Sequence, residues 1–205
     1  MNRATLITLK HKVIILIKVL IIFLATSINS HAENPKVVIG SDNAPVKIKI
    51  FSSLTCPHCA NFHIKVIPEI EKNYVKSGKV QLIFIDFPLD QAAFNASKLL
   101  HCSERKKQIK FLDTIYENQE KWTSGNDVDE INNNLKKIVK TLGISSSQFD
   151  KCIGDEVIGD KILNGRIEGQ KKYSINSTPT IVINDKKLEG STDFNNIKKK
   201  IEKLI

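Results

Sequence analysis

The chain has 205 residues, of which 41% are hydrophobic and 26% are charged, and it contains four cysteines. This length suggests one domain, or one domain with a large insertion, and it buries a core without disulfide staples, which excludes a small disulfide-scaffold protein. The net charge is +9, and without residues 1–32 the chain keeps 27 basic and 22 acidic residues, a net charge of +5. No basic stripe is interleaved with aromatic residues, so no nucleic acid is expected as a partner.

The amino terminus has the parts of a secretory signal peptide, which we assign to residues 1–32. A basic start, MNRATLITLKHK, precedes the apolar run VIILIKVLIIFLATS, and small residues at Ser30 and Ala32 fit cleavage after Ala32. Lys18 interrupts the run, which leaves it shorter than the ~18 residues of a spanning helix. An uncleaved membrane anchor stays open as the alternative. In either case the rest of the chain is exported into a space where cysteines pair.

The first part of the exported chain predicts a strand–helix–strand unit. Residues 46–51 alternate between apolar and polar side chains, as a strand does. A helix is expected from Pro57 to about Tyr74, with a kink or a restart at Pro68. Residues 80–87 form a continuous apolar run, which is typical of a strand buried on both faces.

A helical block follows in residues 91–163, where segments with apolar residues at helical spacing are separated by Gly and Ser-Gly. Residues 177–185 return to a β-branched strand pattern, and KKLEG and a closing amphipathic helix come after it. Because the helices run inside a mixed sheet pattern, the sequence predicts an α/β domain made of residues 33–90 and 164–205, with residues 91–163 inserted in it.

The motif CPHC places Cys56 where a strand passes into a helix and Cys59 one turn further on. The free backbone N–H groups and the partial positive charge at the helix amino terminus favour a thiolate at Cys56. Pro57 stiffens the turn, and His58 adds a cation when it is protonated. A stabilised thiolate stabilises the reduced form, so the disulfide is readily passed to a substrate.

A structural bridge and half of a zinc site are the alternative roles for this pair. As a purely structural bridge, so small a ring contributes ~2 kcal/mol by the chain-entropy estimate, against ~4 kcal/mol for a ring of about fifty residues. As half of a zinc site, the pair lacks a second C-x-x-C motif, and Ala60 excludes the attachment pattern of a c-type haem. His63 and His101 stay open as ligands, although single histidines on helices are more often surface or packing residues. We expect no metal and no cofactor.

Two separated motifs and the order of the elements resemble the DsbA family of exported thiol:disulfide oxidoreductases. The motifs are CPHC at the start of a helix and Thr178-Pro179 before a strand. The resemblance covers nearly all of residues 35–205 and implies a thioredoxin-like fold with an inserted helical domain. It further implies that Cys56 attacks and forms the mixed disulfide and that Cys59 resolves it. Pro179 would be the cis-proline facing the cysteines, and Thr178 would lend its backbone to an extended substrate.

Two positions depart from the family pattern. Ile50 stands in the strand where some relatives carry a buried acid that assists proton transfer, which leaves open how Cys59 loses its proton. Ser177 stands where the family often has glycine. Any effect of this difference would fall on the substrate groove. For Pro179, an ordinary proline at the start of a strand is the alternative.

The other two cysteines, Cys102 and Cys152, fall in separate helices of the helical block. Export favours a structural disulfide between them. Two free buried thiols are the alternative, because free cysteine packs well in a core.

The sequence therefore predicts a periplasmic thiol:disulfide oxidoreductase that donates its Cys56–Cys59 disulfide to newly exported proteins. The family resemblance implies that a membrane quinone-linked protein reoxidises it. A disulfide reductase or isomerase of the same fold is one alternative. A non-catalytic exported binding module with inert cysteines is the other.

Overall fold

The computed structural model describes residues 34–205, and the predicted signal peptide, residues 1–32, lies outside the described residues. Within the described part, five strands form one mixed sheet: β1 (Val37–Ile39), β2 (Val46–Ser52), β3 (Val80–Asp86), β4 (Thr180–Ile183) and β5 (Lys186–Lys187). Their order in the sheet is β1-β3-β2-β4-β5. Strands β2 and β3 are parallel, and the other neighbours are antiparallel.

The α-helices of the described residues are α1 (Pro57–Lys65), α2 (Ile67–Ile70), α3 (Gln91–Cys102), α4 (Gln108–Glu117), α5 (Gln119–Trp122), α6 (Val128–Lys140), α7 (Ser146–Ile153), α8 (Glu156–Tyr173) and α9 (Phe194–Ile201). A π-helical segment, Glu71–Val75, follows α2, and a 3-10 turn, Arg105–Lys107, precedes α4. Within residues 34–205 no helix is long and apolar enough to cross a membrane. The α/β class predicted from the sequence is confirmed.

Strand β2 lies at the centre of the sheet, between β3 and β4. Its alternation buries Val46, Ile48 and Ile50 and leaves Lys47 exposed. Strand β3 is buried at nearly every position, as its continuous apolar run predicted. Since β2 and β3 are parallel and β4 runs against them, the segments that follow β2 and β3 and the segment that precedes β4 meet at one edge of the sheet.

The helix expected from Pro57 to about Tyr74 is divided at the position of its internal proline. Helix α1 ends at Lys65, and α2 begins at Ile67 with Pro68 in its first turn. Proline has no N–H group to donate to the preceding turn and its ring crowds that turn, so the helix restarts there.

Short polar side chains cap the amino ends of helices in the helical block. Helices α3, α6, α7 and α8 each follow a residue whose side chain accepts a hydrogen bond from a backbone N–H of the first turn, which satisfies one of the free donors there. These capping residues are Asp90, Asp127, Ser145 and Asp155. Helix α3 packs against α6, α7 and α8, and the largest fully buried side chains of the block are Trp122, Phe111 and Phe149.

Helix α8 crosses the boundary at residue 163 that the sequence predicted between the helical block and the second part of the α/β domain. The helix is unbroken over its 18 residues and packs against both α3 and β3. Its glycines allow a close approach to the sheet, because a Cβ atom built on Gly169 would lie 2.5 Å from Cε1 of Phe51. The described residues form one compact unit.

A disulfide joins Cys102 to Cys152, with the two Cα atoms 5.9 Å apart. Each cysteine lies in the last turn of its helix, α3 or α7, rather than in a helix interior. The carboxyl end of a helix carries partial negative charge, which disfavours a thiolate and so favours the disulfide. Cys102 is exposed and Cys152 is buried.

Replacing Gly169 with alanine is expected to destabilise the protein by about 1–3 kcal/mol, because the added Cβ would overlap the Phe51 ring. The matched control is Gly165→Ala in the same helix, where the Cβ would lie 3.5 Å from Cβ of Asn34, an ordinary contact. The control should be neutral or stabilising by up to ~1 kcal/mol, because alanine favours a helix more than glycine does. Urea unfolding measures both free energies, and equal effects would contradict the close packing of α8 on β2.

Replacing both Cys102 and Cys152 with alanine is expected to lower the melting temperature. The disulfide closes a loop with a sequence separation of 50 residues, and the chain-entropy estimate for such a loop is up to ~4 kcal/mol. Urea unfolding of the variant against the oxidised wild type measures the loss. The control is the wild type with this disulfide reduced, whose free energy of unfolding should equal that of the variant. A variant as stable as the oxidised wild type would show that the bridge does not constrain the unfolded chain.

Candidate active site

Cys56 lies between β2 and α1, at the N-cap position of α1. Its carbonyl accepts hydrogen bonds from the backbone N–H groups of Cys59 (3.0 Å) and Ala60 (3.1 Å), so Cys59 sits one turn further on. Pro57 occupies the first turn, where its missing N–H costs no hydrogen bond. Both cysteines are free thiols in this structure. Cys56 is 8% exposed and Cys59 is 1% exposed, which makes Cys56 the more accessible sulfur.

Thr178 and Pro179 face the cysteines from the neighbouring strand. The pairing of Phe51 with Thr180 aligns the start of β4 with the end of β2, and the Thr178–Pro179 peptide bond is cis. When Cys56 is protonated, its thiol donates a hydrogen bond to the Thr178 carbonyl, with Sγ and O 3.4 Å apart. Two motifs that are 122 residues apart in the chain therefore meet at one site.

Cys56 is held as a thiolate at neutral pH. Its pKa is lowered from an ordinary 9.0 to about 5, and the largest cause is a hydrogen bond from the Cys59 side chain. Burial acts in the opposite direction. The backbone N–H groups of Cys59 and His58 stabilise the thiolate further. Such a low-pKa cysteine is the nucleophile and the good leaving group of a thiol–disulfide exchange site.

Cys59 behaves in the opposite way. Its pKa is raised far above 9.0, first because its proton is shared with the Cys56 thiolate and second because it is buried. The pair therefore carries one negative charge, which resides on Cys56, while Cys59 keeps its proton. Any reaction that forms the Cys56–Cys59 disulfide must take this buried proton away.

The remaining predicted site residues divide into those that reach the pair and those that do not. The His58 side chain is exposed, and the residue lowers the pKa of Cys56 through its backbone N–H. The Thr178 hydroxyl is buried, and no described residue makes a hydrogen bond to it. Cys102 and Cys152 are bonded to each other on α3 and α7 and are not brought to this site.

Gln119 is a site residue that sequence reasoning missed. It is buried at the start of α5, and its Nε2 donates hydrogen bonds to the carbonyls of Leu54 (2.7 Å) and Cys56 (3.1 Å). The helical block thereby holds the backbone of the loop that carries Cys56. Nothing in the sequence marks Gln119 except a polar residue among apolar ones, because its partners are main-chain atoms 63 and 65 residues away.

Asp90 was also missed. Its Oδ2 accepts a hydrogen bond from the Thr55 hydroxyl (2.6 Å), and its Oδ1 accepts one from the N–H of Ala93 (2.7 Å) at the start of α3. The Ser53 hydroxyl accepts a bond from the N–H of Leu89 (3.4 Å). The loop before Cys56 is therefore tied to the loop after β3. An aspartate before a helical pattern is a capping signal, but the capping pattern does not reveal the second bond to Thr55.

The two histidines considered as metal ligands pair with carboxylates instead. His63 Nε2 lies 2.8 Å from Asp113 Oδ1, and His101 Nε2 lies 2.5 Å from Asp86 Oδ2. Among residues 34–205, no group of three or more His, Cys, Asp or Glu side chains is placed to hold a metal ion.

Comparison with known proteins finds a matching family model and several named relatives. A family model described as thioredoxin matches residues 32–203. A curated relative from Bacillus anthracis, named a probable disulfide bond formation protein D, is 30% identical over 171 residues, which cover 82% of this chain and 77% of the relative.

Solved structures place the fold among enzymes of this type. The crystal structure of alpha-DsbA1 from Wolbachia pipientis is 29% identical, with a TM-score of 0.74 over 82% of this chain and 90% of that one. Oxidised BdbD from Bacillus subtilis is 26% identical, with a TM-score of 0.70 over 82% of this chain and 91% of that one. The chain therefore belongs to the DsbA family of thioredoxin-like protein-disulfide oxidoreductases.

Proposed function

We propose that this protein oxidises pairs of thiols in newly exported proteins, with its Cys56–Cys59 disulfide as the oxidant. A substrate thiolate attacks Sγ of Cys56, the disulfide breaks, and Cys59 leaves with the electron pair and gains a proton. A second substrate thiolate then attacks the substrate sulfur of the mixed disulfide, and Cys56 leaves as a thiolate. The substrate loses two electrons and gains a disulfide, and the protein keeps the electrons as its reduced pair.

The observation that carries this proposal is the position of Cys56 at the amino end of α1, one turn before Cys59, where its thiolate is stabilised and its pKa is lowered to about 5. A stabilised thiolate lowers the free energy of the reduced protein relative to the oxidised one. It also makes Cys56 a good leaving group when the substrate resolves the mixed disulfide. Both effects favour transfer of the disulfide from the protein to its substrate, so oxidation is proposed ahead of reduction or isomerisation.

The backbone before Pro179 supports a role in holding an extended substrate. Asn176 and Ser177 are exposed, and Thr178 and Pro179 are half-buried beside the Cys56 sulfur. We propose that Thr178 and its neighbours pair with the substrate main chain while the substrate sulfur is bonded to Cys56. Main-chain pairing of this kind accepts many sequences, which suits an enzyme that acts on many exported proteins.

Export and reoxidation complete the proposed cycle. Residues 1–32 would direct the chain to the periplasm, either as a cleaved signal or as an anchor. The reduced pair must then pass its two electrons onward before the next turnover. A membrane quinone-linked protein is the proposed acceptor, by resemblance to the DsbA family.

The alkylation rate of reduced Cys56 should follow a titration with a midpoint at about pH 5, because the thiolate is the reactive form. Cys59 should stay unmodified throughout, since its pKa is raised and its sulfur is buried. Iodoacetamide labelling followed by mass spectrometry measures each site separately. A Cys56 midpoint near the free-cysteine value of about 8.5 would contradict the stabilised thiolate.

The oxidised protein should consume the thiols of reduced, unfolded ribonuclease A. Cys59→Ser, mixed with scrambled ribonuclease A whose disulfides are intact, should accumulate a mixed disulfide at Cys56, because the Cys56 thiolate attacks a substrate disulfide and the intramolecular thiol that would release the substrate is missing. Cys56→Ser, the matched control, should form none. A reduction potential near that of thioredoxin, about −270 mV, would instead indicate a reductase.

A further inference from the structure

A buried carboxylate–imidazole pair lies behind the cysteine site and has no role in the exchange steps described above. Asp86 is the last residue of β3, and His101 and Ser97 reach it from α3. Asp86 Oδ1 accepts a hydrogen bond from the Ser97 hydroxyl (2.6 Å), and Oδ2 lies 2.5 Å from His101 Nε2. The side chains of Asp86 and His101 are 7% and 5% exposed. Burying such a pair costs free energy of folding unless all its hydrogen bonds are satisfied, so a pair at this position suggests a functional role.

Asp86 lines a small cavity beside the loop that carries Cys56. The cavity measures about 10 Å³, which is roughly the space that one water molecule needs. Its polar walls are Ser52, Asp86 and Tyr116, and its apolar walls include Leu54 from the active-site loop. Ser52 and Asp86 are register partners on β2 and β3, so their side chains stand on the same face of the sheet.

Tyr116 lines this cavity and belongs to a helix, α4, that packs against α1, the helix of Cys59. His63, one turn after Cys59 on α1, lies against the Tyr116 ring with the two ring centroids 4.8 Å apart. The pKa of Tyr116 is raised well above its ordinary value, first by burial and then by negative charge on Cys59, Asp86 and Cys56, while the Ser52 side chain lowers it. Tyr116 therefore lies within the electric field of both the cysteine pair and Asp86.

The geometry leads us to propose that Asp86, held by His101 and Ser97, stores and returns the proton of Cys59 through Tyr116, Ser52 and the cavity between them. This proposal rests on the proposed function and deepens it. Cys59 is 1% exposed and has no direct path to bulk water through its own surface. Asp86 touches none of the reacting sulfur atoms, so it is a positioning residue for the proton.

The proton and electrons balance in both directions. On reoxidation, Cys56 is joined in a mixed disulfide to an oxidant that is itself a disulfide compound. The S–H bond of Cys59 breaks, its proton passes through the cavity to the Asp86–His101 pair, and Cys59 Sγ attacks Cys56 Sγ. The oxidant's second thiolate leaves with the electron pair. On oxidation of a substrate, the pair returns the proton to Cys59 as Cys59 leaves the disulfide.

Other charged groups surround Tyr116 and Asp86 and provide the control. His63 of α1 pairs with Asp113 of α4 at 2.8 Å beside the Tyr116 ring, and Glu71 interacts electrostatically with both. Arg166 of α8 lies over the ring of Phe87, which directly follows Asp86. Asp113→Asn removes a carboxylate paired with a buried histidine, as Asp86→Asn does, but Asp113 does not line the cavity.

The test is reoxidation of the reduced full-length protein by oxidised glutathione, stopped with acid at intervals and analysed by mass spectrometry. The mixed disulfide and the intramolecular disulfide are resolved, so the second step is timed by itself between about pH 5 and about pH 9. Asp86→Asn should slow the second step by about a hundredfold near neutral pH, which is the lower end of the range for general acid–base assistance. The loss should shrink as the pH rises, because hydroxide then takes the Cys59 proton.

Tyr116→Phe keeps the ring and should give the same pH-dependent loss, which decides the matter if Asp86→Asn does not fold. Asp113→Asn should match the wild type, and the Cys56 alkylation midpoint should stay unchanged in Asp86→Asn. Lower stability with an unchanged pH profile in both Asp86→Asn and Tyr116→Phe would overturn the relay, as would an equal loss in Asp113→Asn. A wild type that forms no mixed disulfide with glutathione would instead overturn the proposed function itself, and the relay with it.

Discussion

The position of strand β2 between β3 and β4 is the constraint on which the rest of the structure depends. Its parallel register with β3 brings Ser52 level with Asp86, and its antiparallel register with β4 brings Phe51 level with Thr180. Three segments therefore meet at one edge of the sheet: the loop with Cys56, the loop with Asp90 and the Thr178–Pro179 turn. The proposed active site is the junction of these segments, and a shift of one residue in either register would turn the side chains of β2 to the opposite face.

The two cysteine pairs differ because they lie at opposite ends of helices. Cys56 lies at the amino end of α1, where free N–H groups stabilise a thiolate. Cys102 and Cys152 lie in the last turns of α3 and α7, where the helix field opposes a thiolate. The first pair is therefore suited to thiol–disulfide exchange, and the second pair is suited to a stable structural disulfide. Gln119 links the two regions, since it belongs to the helical block and holds the carbonyl of Cys56.

Charge in the interior is concentrated behind the cysteine pair. The Cys56 thiolate, the Tyr116 hydroxyl and the Asp86 carboxylate interact within a region from which water is largely excluded. In such surroundings each charge strongly affects its neighbours, since the effective dielectric constant is far below that of water. The charge state of the cysteine pair therefore affects Tyr116, which also interacts with Asp86.

The sequence by itself determined the features that depend on near neighbours in the chain. Apolar periodicity marked β2, α1 and β3, and the CPHC motif placed Cys56 at the end of a strand and the start of a helix, where local backbone groups set its charge. The tertiary structure alone decided the contact of Thr178 with Cys56, the two bonds from Gln119 and the cavity between Asp86 and Tyr116. It also decided that α8 continues past the boundary expected at residue 163. These contacts join residues that are far apart in the chain, and their distances follow from strand register and helix packing, which no local pattern encodes.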